Sequence, residues 1–134
     1  MIRIKELRII IAGSRTFEPA YYMGKLIDSM SVILHSKDYG VDKVVIVSGT
    51  ARGADRAGEE YAKIVGYEVK RFPADWDNLG KRAGYVRNAE MAKYAAEDGH
   101  VGMLVAFWDG KSKGTKHMID LAKRYGLEVY IVNF

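Results

Sequence analysis

Three short turns of this 134-residue chain combine glycine, hydroxyl side chains and cationic side chains, the residue types that bind anions. Residues 13–16, 48–53 and 108–115 each follow an apolar run and precede a helical pattern. Helix N-termini attract anions, glycine lets an anion approach the main chain, and guanidinium groups suit phosphate. The turns therefore predict a phosphate-binding site. The residues that we assign to it are Gly13, Ser14, Arg15, Ser48, Gly49, Thr50, Arg52, Gly53, Gly110, Lys111, Ser112, Lys113, Gly114 and Thr115.

The middle turn carries the strongest signal. Residues 44–47 are consecutive β-branched apolar residues, a pattern typical of a strand buried on both faces in a parallel sheet. After Ser48 the chain passes two glycines, Thr50 and Arg52, and enters a helix near Gly53. One interpretation is an anion site. The alternative is a strand-to-helix turn in which glycine serves only close packing.

Two tryptophans and several carboxylates lie in or beside the same loops. Trp76 and Trp108 are suited either to stack on a nucleobase or to cover the end of the sheet as hydrophobic plugs. The carboxylates nearest the predicted cleft are Asp75, Asp77, Glu90 and Asp109. Each of them suits a ribose contact or an acid–base role, and each equally suits a turn or a helix cap.

Other chemistries find little support in the sequence. Gly110-Lys111-Ser112 resembles the end of a Walker loop, but Val105 stands where that loop needs glycine. No dinucleotide-binding Gly-x-Gly-x-x-Gly follows either early apolar run. His35, His100 and His117 lack paired metal-ligand spacing, and the chain has no cysteine. The sequence therefore predicts no metal site, no cofactor and no cysteine nucleophile.

Composition limits the class of protein. A chain of 134 residues suits one domain, 1–134, and 49% hydrophobic with 28% charged residues is ordinary for a globular protein. The net charge of +4 suits a polyanionic ligand without demanding nucleic acid. No apolar run reaches the length of a membrane span, so no membrane partner is expected, and the lack of cysteine fits the cytoplasm.

Alternating strands and helices must position the turns. Strands are predicted at 7–12, 44–47, 67–72, 103–107 and 127–132. Helices are predicted near 19–34, 54–65 and 85–97 and again after residue 115, whereas 73–84 is expected to be irregular. This alternation predicts an α/β fold, a three-layer α/β/α sandwich with a Rossmann-like parallel five-stranded sheet in the order 3-2-1-4-5.

The predicted strand order also predicts where the turns meet. The winding of such a sheet reverses between the first and fourth strands, and ligands bind beside that point, at the carboxyl ends of the strands. The three turns and the 73–84 segment would all reach this edge. The helices would bury their apolar faces on the sheet, with Ile64, Val65 and Tyr125 among the expected core residues.

In order along the chain, four motifs resemble the SLOG superfamily, most closely its YspA-related branch. They are Gly13–Phe17, Ser48–Asp55, Arg87–Met91 and Gly110–Thr115. The resemblance implies a Rossmann-like domain that binds nucleotides or nucleotide-derived molecules at these loops. It adds Asp55, Arg87 and Asn88 to the expected ligand-binding residues. The superfamily commonly dimerises, which implies a homodimer or a higher homo-oligomer.

Two better-known branches of the superfamily imply other activities. The lonely-guy phosphoribohydrolases cleave nucleoside monophosphates, and Gly114-Thr115 and Arg87 look like their motif residues, but Met118 stands at the position of their catalytic glutamate. Arg87, Glu90 and Asp109 are then the catalytic candidates. The DNA-processing protein DprA has a similar glycine-rich turn and Arg-Asn pair, which implies single-stranded DNA binding.

The sequence as a whole favours binding or sensing of a phosphorylated nucleotide or nucleotide-derived small molecule. Hydrolysis of nucleoside monophosphates at the N-glycosidic bond is the first alternative. Binding of single-stranded nucleic acid through the basic loops is the second.

Overall fold

One parallel sheet organises the fold. The computed structural model describes residues 4–134, in which the strands are β1 (Glu6–Gly13), β2 (Lys43–Ser48), β3 (Glu68–Arg71), β4 (Val101–Trp108) and β5 (Glu128–Asn133). Their order in the sheet is β3-β2-β1-β4-β5, and every adjacent pair is parallel. The predicted Rossmann-like α/β architecture and its strand order are therefore confirmed.

Helices connect successive strands. They are α1 (Pro19–His35), α2 (Ala54–Val65), α3 (Trp76–Leu79), α4 (Ala83–Ala95) and α5 (Lys113–Arg124), with a 3₁₀ turn at Gly80–Arg82. Pro19 begins α1, where the N–H group that proline lacks has no partner within the helix. Gly66 ends α2 with a left-handed φ of 84°. Within residues 4–134, no helix combines the length and the apolar composition needed to cross a membrane.

Alternating residues of the central strands form two cores, one on each face of the sheet. Ile9 and Ile11 of β1 lie in the core covered by α1 and α2, whereas Ile10 lies in the core covered by α4 and α5. All three isoleucines are at most 1% exposed. Because successive side chains of a strand point to opposite faces, consecutive buried isoleucines require helices on both sides. The result is the predicted three-layer arrangement.

The strand β3 forms one edge of the sheet, as the predicted strand order places it. Glu68, Lys70 and Arg71 are exposed, and Glu68 pairs with Lys43 of the neighbouring strand at 2.8 Å. Charged side chains on an edge strand discourage pairing with the strand of another molecule.

The segment 73–84 is more regular than predicted. Asp75 Oδ1 accepts a hydrogen bond from the amide of Asn78 (3.2 Å) and so caps the short helix α3. The 3₁₀ turn follows at once and leads into α4, which begins at Ala83 rather than at Tyr85. The expectation of a long irregular loop was wrong because this aspartate cap starts a helical turn inside it.

Three residues expected in the core are exposed to solvent. Ile64, Val65 and Tyr125 expose 59%, 43% and 38% of their surface. The buried face of α2 is formed by Tyr61 and by small residues such as Gly58. An added Cβ on Gly58 would lie 2.8 Å from Ile11 Cβ. Close approach of helix and strand thus decides which side of α2 is buried, and a count of apolar residues misses this.

Two glycine substitutions test this packing. Gly58→Ala should lower the free energy of unfolding by about 1–2 kcal/mol, because overpacking against Ile11 outweighs the gain in helix propensity. Gly24→Ala is the matched control, since Gly24 lies inside α1 with open space around it, and it should raise stability by about 0.5–1 kcal/mol. Urea denaturation measures both changes. Equal effects of the two substitutions would contradict the packing described here.

Candidate functional site

A cleft of about 210 Å³ opens at the carboxyl end of β1. The turn after β1, the start of α2, the inner face of α4 and the first turn of α5 surround it. This is the point between β1 and β4 where the winding reverses and helix N-termini converge. Arg15, Lys81 and Arg87 supply cationic side chains to the cleft, and Asp55 supplies a carboxyl group. We call this space the inner cleft.

Main-chain contacts join the three predicted turns. The amide of Ser14 donates to the carbonyl of Phe107 (2.9 Å), and the carbonyl of Ser14 accepts from the amide of Ala54 at the start of α2 (3.2 Å). The hydroxyl of Ser14 accepts from the amide of Asp109 (3.1 Å). An added Cβ on Gly53, whose φ is +83°, would lie 2.4 Å from the Ser14 carbonyl oxygen. Glycine is required there for close packing, and the buried Ser14 serves to link the turns.

Glycine at the end of β1 has a similar reason. An added Cβ on Gly13 would lie 2.0 Å from the carbonyl oxygen of Phe107. The main chains of β1 and β4 therefore approach each other closely beside the inner cleft. For Gly53 the structure supports the packing explanation that the sequence left open, and the same explanation holds for Gly13.

Hydrogen bonds fix the conformation of the second predicted turn, residues 48–53, against α2. Ser48 Oγ donates to Glu59 Oε2 (2.6 Å) and accepts from the amide of Thr50 (3.1 Å). Thr50 has a positive φ of 66°, which is uncommon for a β-branched residue. The amide of Ala51 donates to Asp55 Oδ2 (3.1 Å). Ser48 is fully buried, so its hydroxyl stabilises the turn and does not face the cleft.

Arg87 of α4 reaches across to the second turn. Its Nη1 donates to the carbonyl of Gly49, and its Nε donates to Asn88 Oδ1 (3.2 Å). An added Cβ on Gly49 would lie 2.8 Å from both Arg87 Nη1 and Asp55 Oδ2. Glycine thus leaves room for a guanidinium and a carboxyl group on the same side of the turn. Asn88 is held in turn, since its Nδ2 donates to the carbonyl of Gly114 (3.3 Å).

Burial controls the protonation of Asp55. This residue is 6% exposed, and its burial raises the pKa of the carboxyl group to about 6, although the nearby Arg87 favours the charged form. Burial lowers the pKa of Arg87, whose guanidinium still remains a cation at neutral pH. A carboxyl group with such a pKa exchanges its proton near neutral pH, so Asp55 is chemically suited to acid–base work.

The third turn closes on itself around Asp109. Its Oδ1 accepts from the amides of Lys111 (2.8 Å) and Ser112 (2.9 Å), and these bonds hold the pKa of Asp109 below its usual range. Ser112 Oγ caps α5 by accepting from the amide of Thr115 (3.3 Å). Ser112, Gly114 and Thr115 line the inner cleft, whereas Gly110 and Lys111 are exposed and do not line it.

The carboxylates expected at the cleft lie outside it. Glu90 is exposed on α4, and Asp109 accepts hydrogen bonds from amides of its own turn. None of Glu90, Asp109, Asp75 and Asp77 lines the inner cleft. The buried carboxyl group that does line it is Asp55. The sequence holds a signal for this role, because Asp55 lies in the first turn of a helix whose N-terminus faces the strand ends.

Sequence reasoning also missed Lys81 and Tyr85, which line the inner cleft. Lys81 lies in the 3₁₀ turn and Tyr85 in the first turn of α4, both within or next to the segment predicted to be irregular. Their spacing gives no sequence signal, because Trp76, Lys81 and Tyr85 lie in three successive elements, α3, the 3₁₀ turn and α4. Only the packing of these elements brings the three side chains to one cleft.

The two tryptophans differ in their surroundings. Trp108 Nε1 donates to the carbonyl of Ser112 (3.1 Å), and its ring packs against the core under α4 and α5. Trp108 is therefore a plug over the sheet. Trp76 is 50% exposed and lines the mouth of the inner cleft, with its Cη2 3.5 Å from the position of an added Cβ on Gly84. Trp76 alone of the pair offers an open aromatic face to the cleft.

A second space adjoins the inner cleft. This outer groove, of about 350 Å³, is lined by the second turn, including Arg52, and by Pro73 and Ala74. It shares a wall with the inner cleft, formed by Arg15, Ala51, Trp76 and Arg87. The sequence predicted one phosphate cradle, but the structure separates Arg52 from the first turn of α5.

The three histidines each have a protein partner. His117 Nδ1 bonds Asn88 Nδ2 (3.1 Å), His100 Nδ1 accepts from the amide of Glu6 (3.0 Å), and His35 Nδ1 contacts the carbonyl of Ser31 (2.7 Å). Across residues 4–134, His, Asp and Glu side chains do not gather in threes in a way that would hold a metal ion.

Comparison with known proteins identifies similar sequences. The family model described as YAcAr, the YspA, cpYpsA-related SLOG family, matches residues 7–78, which include the first two turns and Trp76. The chain is 34% identical over 132 residues to the Gene 61 protein of Mycobacterium phage D29, covering 95% of each chain. No solved structure matches this chain significantly.

The raised pKa of Asp55 predicts a pH-dependent stability. The folded pKa of about 6 exceeds the ordinary aspartate value of 3.8, so the contribution of the neutral carboxyl is complete below pH 3.8 and is lost as pH rises through 6. Relative to Asp55→Asn, the wild type should therefore lose roughly 2–3 kcal/mol of unfolding free energy between pH 4 and 7.5. Urea denaturation at several pH values measures the difference, with Asp28→Asn, an exposed aspartate of α1, as the control. Parallel stability curves for wild type and Asp55→Asn would contradict the assignment.

Proposed function

This chain belongs to the YspA, cpYpsA-related SLOG family, and on that basis we propose that it binds a phosphorylated nucleotide or nucleotide-derived small molecule in the inner cleft. The observation that carries the proposal is the convergence of Arg15, Lys81 and Arg87, from three different segments, on one cleft beside the first turn of α5. Three cations and a helix N-terminus around one space favour an anionic ligand.

The phosphate would lie against the start of α5. Gly114 and Thr115 line the cleft there together with Ser112, whose hydroxyl caps the helix. Lys81 of the 3₁₀ turn and Arg87 of α4 then supply charge to the same cleft. Phosphate bound at a helix N-terminus with flanking cations is a common arrangement in proteins.

The base and the sugar would occupy the mouth of the cleft. Trp76 and Tyr85 both line it and expose 50% and 46% of their surfaces, so each offers an aromatic face to a planar ring. Asp55 is suited to accept hydrogen bonds from ribose hydroxyls, because a carboxylate oxygen is a strong acceptor.

Homo-oligomerisation stays a prediction that analytical ultracentrifugation of the purified protein would test.

Isothermal titration calorimetry with the four common nucleoside 5′-monophosphates tests the proposal. Wild-type protein should bind at least one of them, and Lys81→Ala and Arg15→Ala should each weaken binding about tenfold, since each removes one charge-assisted contact. Arg124→Ala is the control, because this substitution removes the same charge and Arg124 lies at the end of α5 that is far from the cleft. No binding by the wild type, or equal weakening by Arg124→Ala, would refute the proposal.

A second candidate function is hydrolysis of the N-glycosidic bond of a nucleoside monophosphate. The observation that favours it is a buried carboxyl group, Asp55, whose pKa is raised to about 6 in the same cleft as Arg87. In this reaction the bond from C1′ to the base breaks and water adds to C1′. Asp55 would take a proton from that water as its oxygen adds to C1′. The leaving base would take up one proton from solvent, and Asp55 would return its proton to solvent, so that the products are the free base and ribose 5-phosphate.

Release of free base, followed by chromatography, tests this activity. Asp55→Asn should reduce the rate about a hundredfold or more, since general acid–base catalysis contributes roughly 10²–10⁴-fold in enzymes. Glu90→Gln and Asp109→Asn should leave the rate nearly unchanged, because neither carboxylate lines the cleft. Turnover that persists in Asp55→Asn, or that is lost in Glu90→Gln, would contradict this role for Asp55.

A further inference from the structure

We propose that the natural ligand carries two phosphate groups, one in the inner cleft and a second in the outer groove beside Arg52. This inference rests on the proposed function and specifies its ligand class. The ligand is then a nucleotide whose second phosphate is bonded either to the sugar, as in a 3′,5′-bisphosphate, or to the first phosphate, as in a 5′-diphosphate.

The first argument is the distribution of charge. Arg15, Arg52 and Arg87 line the outer groove, and no acidic side chain of the described chain lines it with them. The inner cleft differs, since Asp55 lies there beside the cations. The outer groove therefore favours anions more strongly than the inner cleft does. A ligand whose single phosphate lies in the inner cleft would leave the cations of the outer groove without an anionic partner.

The second argument is that the cations are available. Within residues 4–134, neither Arg15 nor Arg52 forms an ion pair, and both side chains are exposed. Arg71 nearby is different, because its Nε is paired with Glu59 Oε1 at 2.8 Å. An arginine without a protein partner at the wall of a groove retains its full capacity for bidentate contact with phosphate.

The third argument is the shape of the connected spaces. Met91 and Met118, each 1% exposed, line the inner cleft on the side of the core. A group bound deep in this cleft therefore ends the ligand, and a ligand that extends past the shared residues Arg15 and Trp76 enters the outer groove. A terminal phosphate inside and a second phosphate outside fit this path, whereas a continuous nucleic-acid strand requires a groove open at both ends.

Calorimetry with three ligands of one nucleoside tests the inference. The ligands are the 5′-monophosphate, the 5′-diphosphate and the 3′,5′-bisphosphate of the nucleoside that binds most tightly as its monophosphate. In the wild type, the diphosphate or the bisphosphate should bind at least tenfold more tightly than the monophosphate, because the second phosphate gains a charge-assisted contact. Whichever of the two shows the gain identifies how the second phosphate is attached.

Substitutions locate this gain. Arg52→Ala should reduce the advantage of the second phosphate to less than about threefold, and it should weaken the diphosphate or the bisphosphate more than the monophosphate, since Arg52 lines the outer groove and not the inner cleft. Arg56→Ala removes the same charge from an exposed position that lines neither space, and it should keep the full advantage.

The outcomes separate this inference from the proposed function. If the monophosphate binds and neither second phosphate improves affinity, or if the gain survives in Arg52→Ala, the inference is overturned and the proposed function stands. If none of the three ligands binds, both fail. Tighter binding of a single-stranded oligonucleotide than of any of the three ligands would also overturn it and would favour a nucleic-acid partner.

Discussion

The close main-chain contact between the end of β1 and the start of α2 is the constraint on which the site depends. The carbonyl of Ser14 accepts from the amide of Ala54 at 3.2 Å, and only glycine fits at Gly53 beside it. The hydroxyl of Ser14 also holds the turn after β4 through the amide of Asp109. Three turns are thereby joined at one edge of the sheet, which brings Arg15 and the first turn of α5 to the same cleft.

A second constraint is electrostatic. Gly49 leaves space in which Arg87 and Asp55 approach the same turn, and the structure buries the carboxyl group more completely than the guanidinium. Desolvation opposes the charge of a buried carboxyl group, whereas the neighbouring cation favours it, and here desolvation prevails. The cleft therefore contains fixed positive charge together with one group that can change its charge near neutral pH. Both proposed activities use this combination.

Particular residues show how far sequence reasoning reaches at the site. The motifs and the predicted strand order place Arg15, Ser112, Gly114 and Thr115 at one edge of the sheet, and in the structure they line one cleft there. This part could be predicted because strand order and helix starts follow from local sequence patterns. They did not reveal that Lys111 would be exposed or that Asp55 would be the buried carboxyl group. Those outcomes depend on how each turn closes on itself and on which atoms exclude water from it.

By itself the sequence determined the fold class, the strand order and the edge of the sheet at which the turns gather. These follow from short-range signals, namely apolar runs, glycines after strands and the right-handed connection of parallel strands. Only the tertiary structure decided that Trp108 is a core plug while Trp76 is open, and that Arg52 lies in a groove apart from the start of α5. Burial and the separation of side chains from distant segments are properties of the packed molecule, so no local pattern contains them.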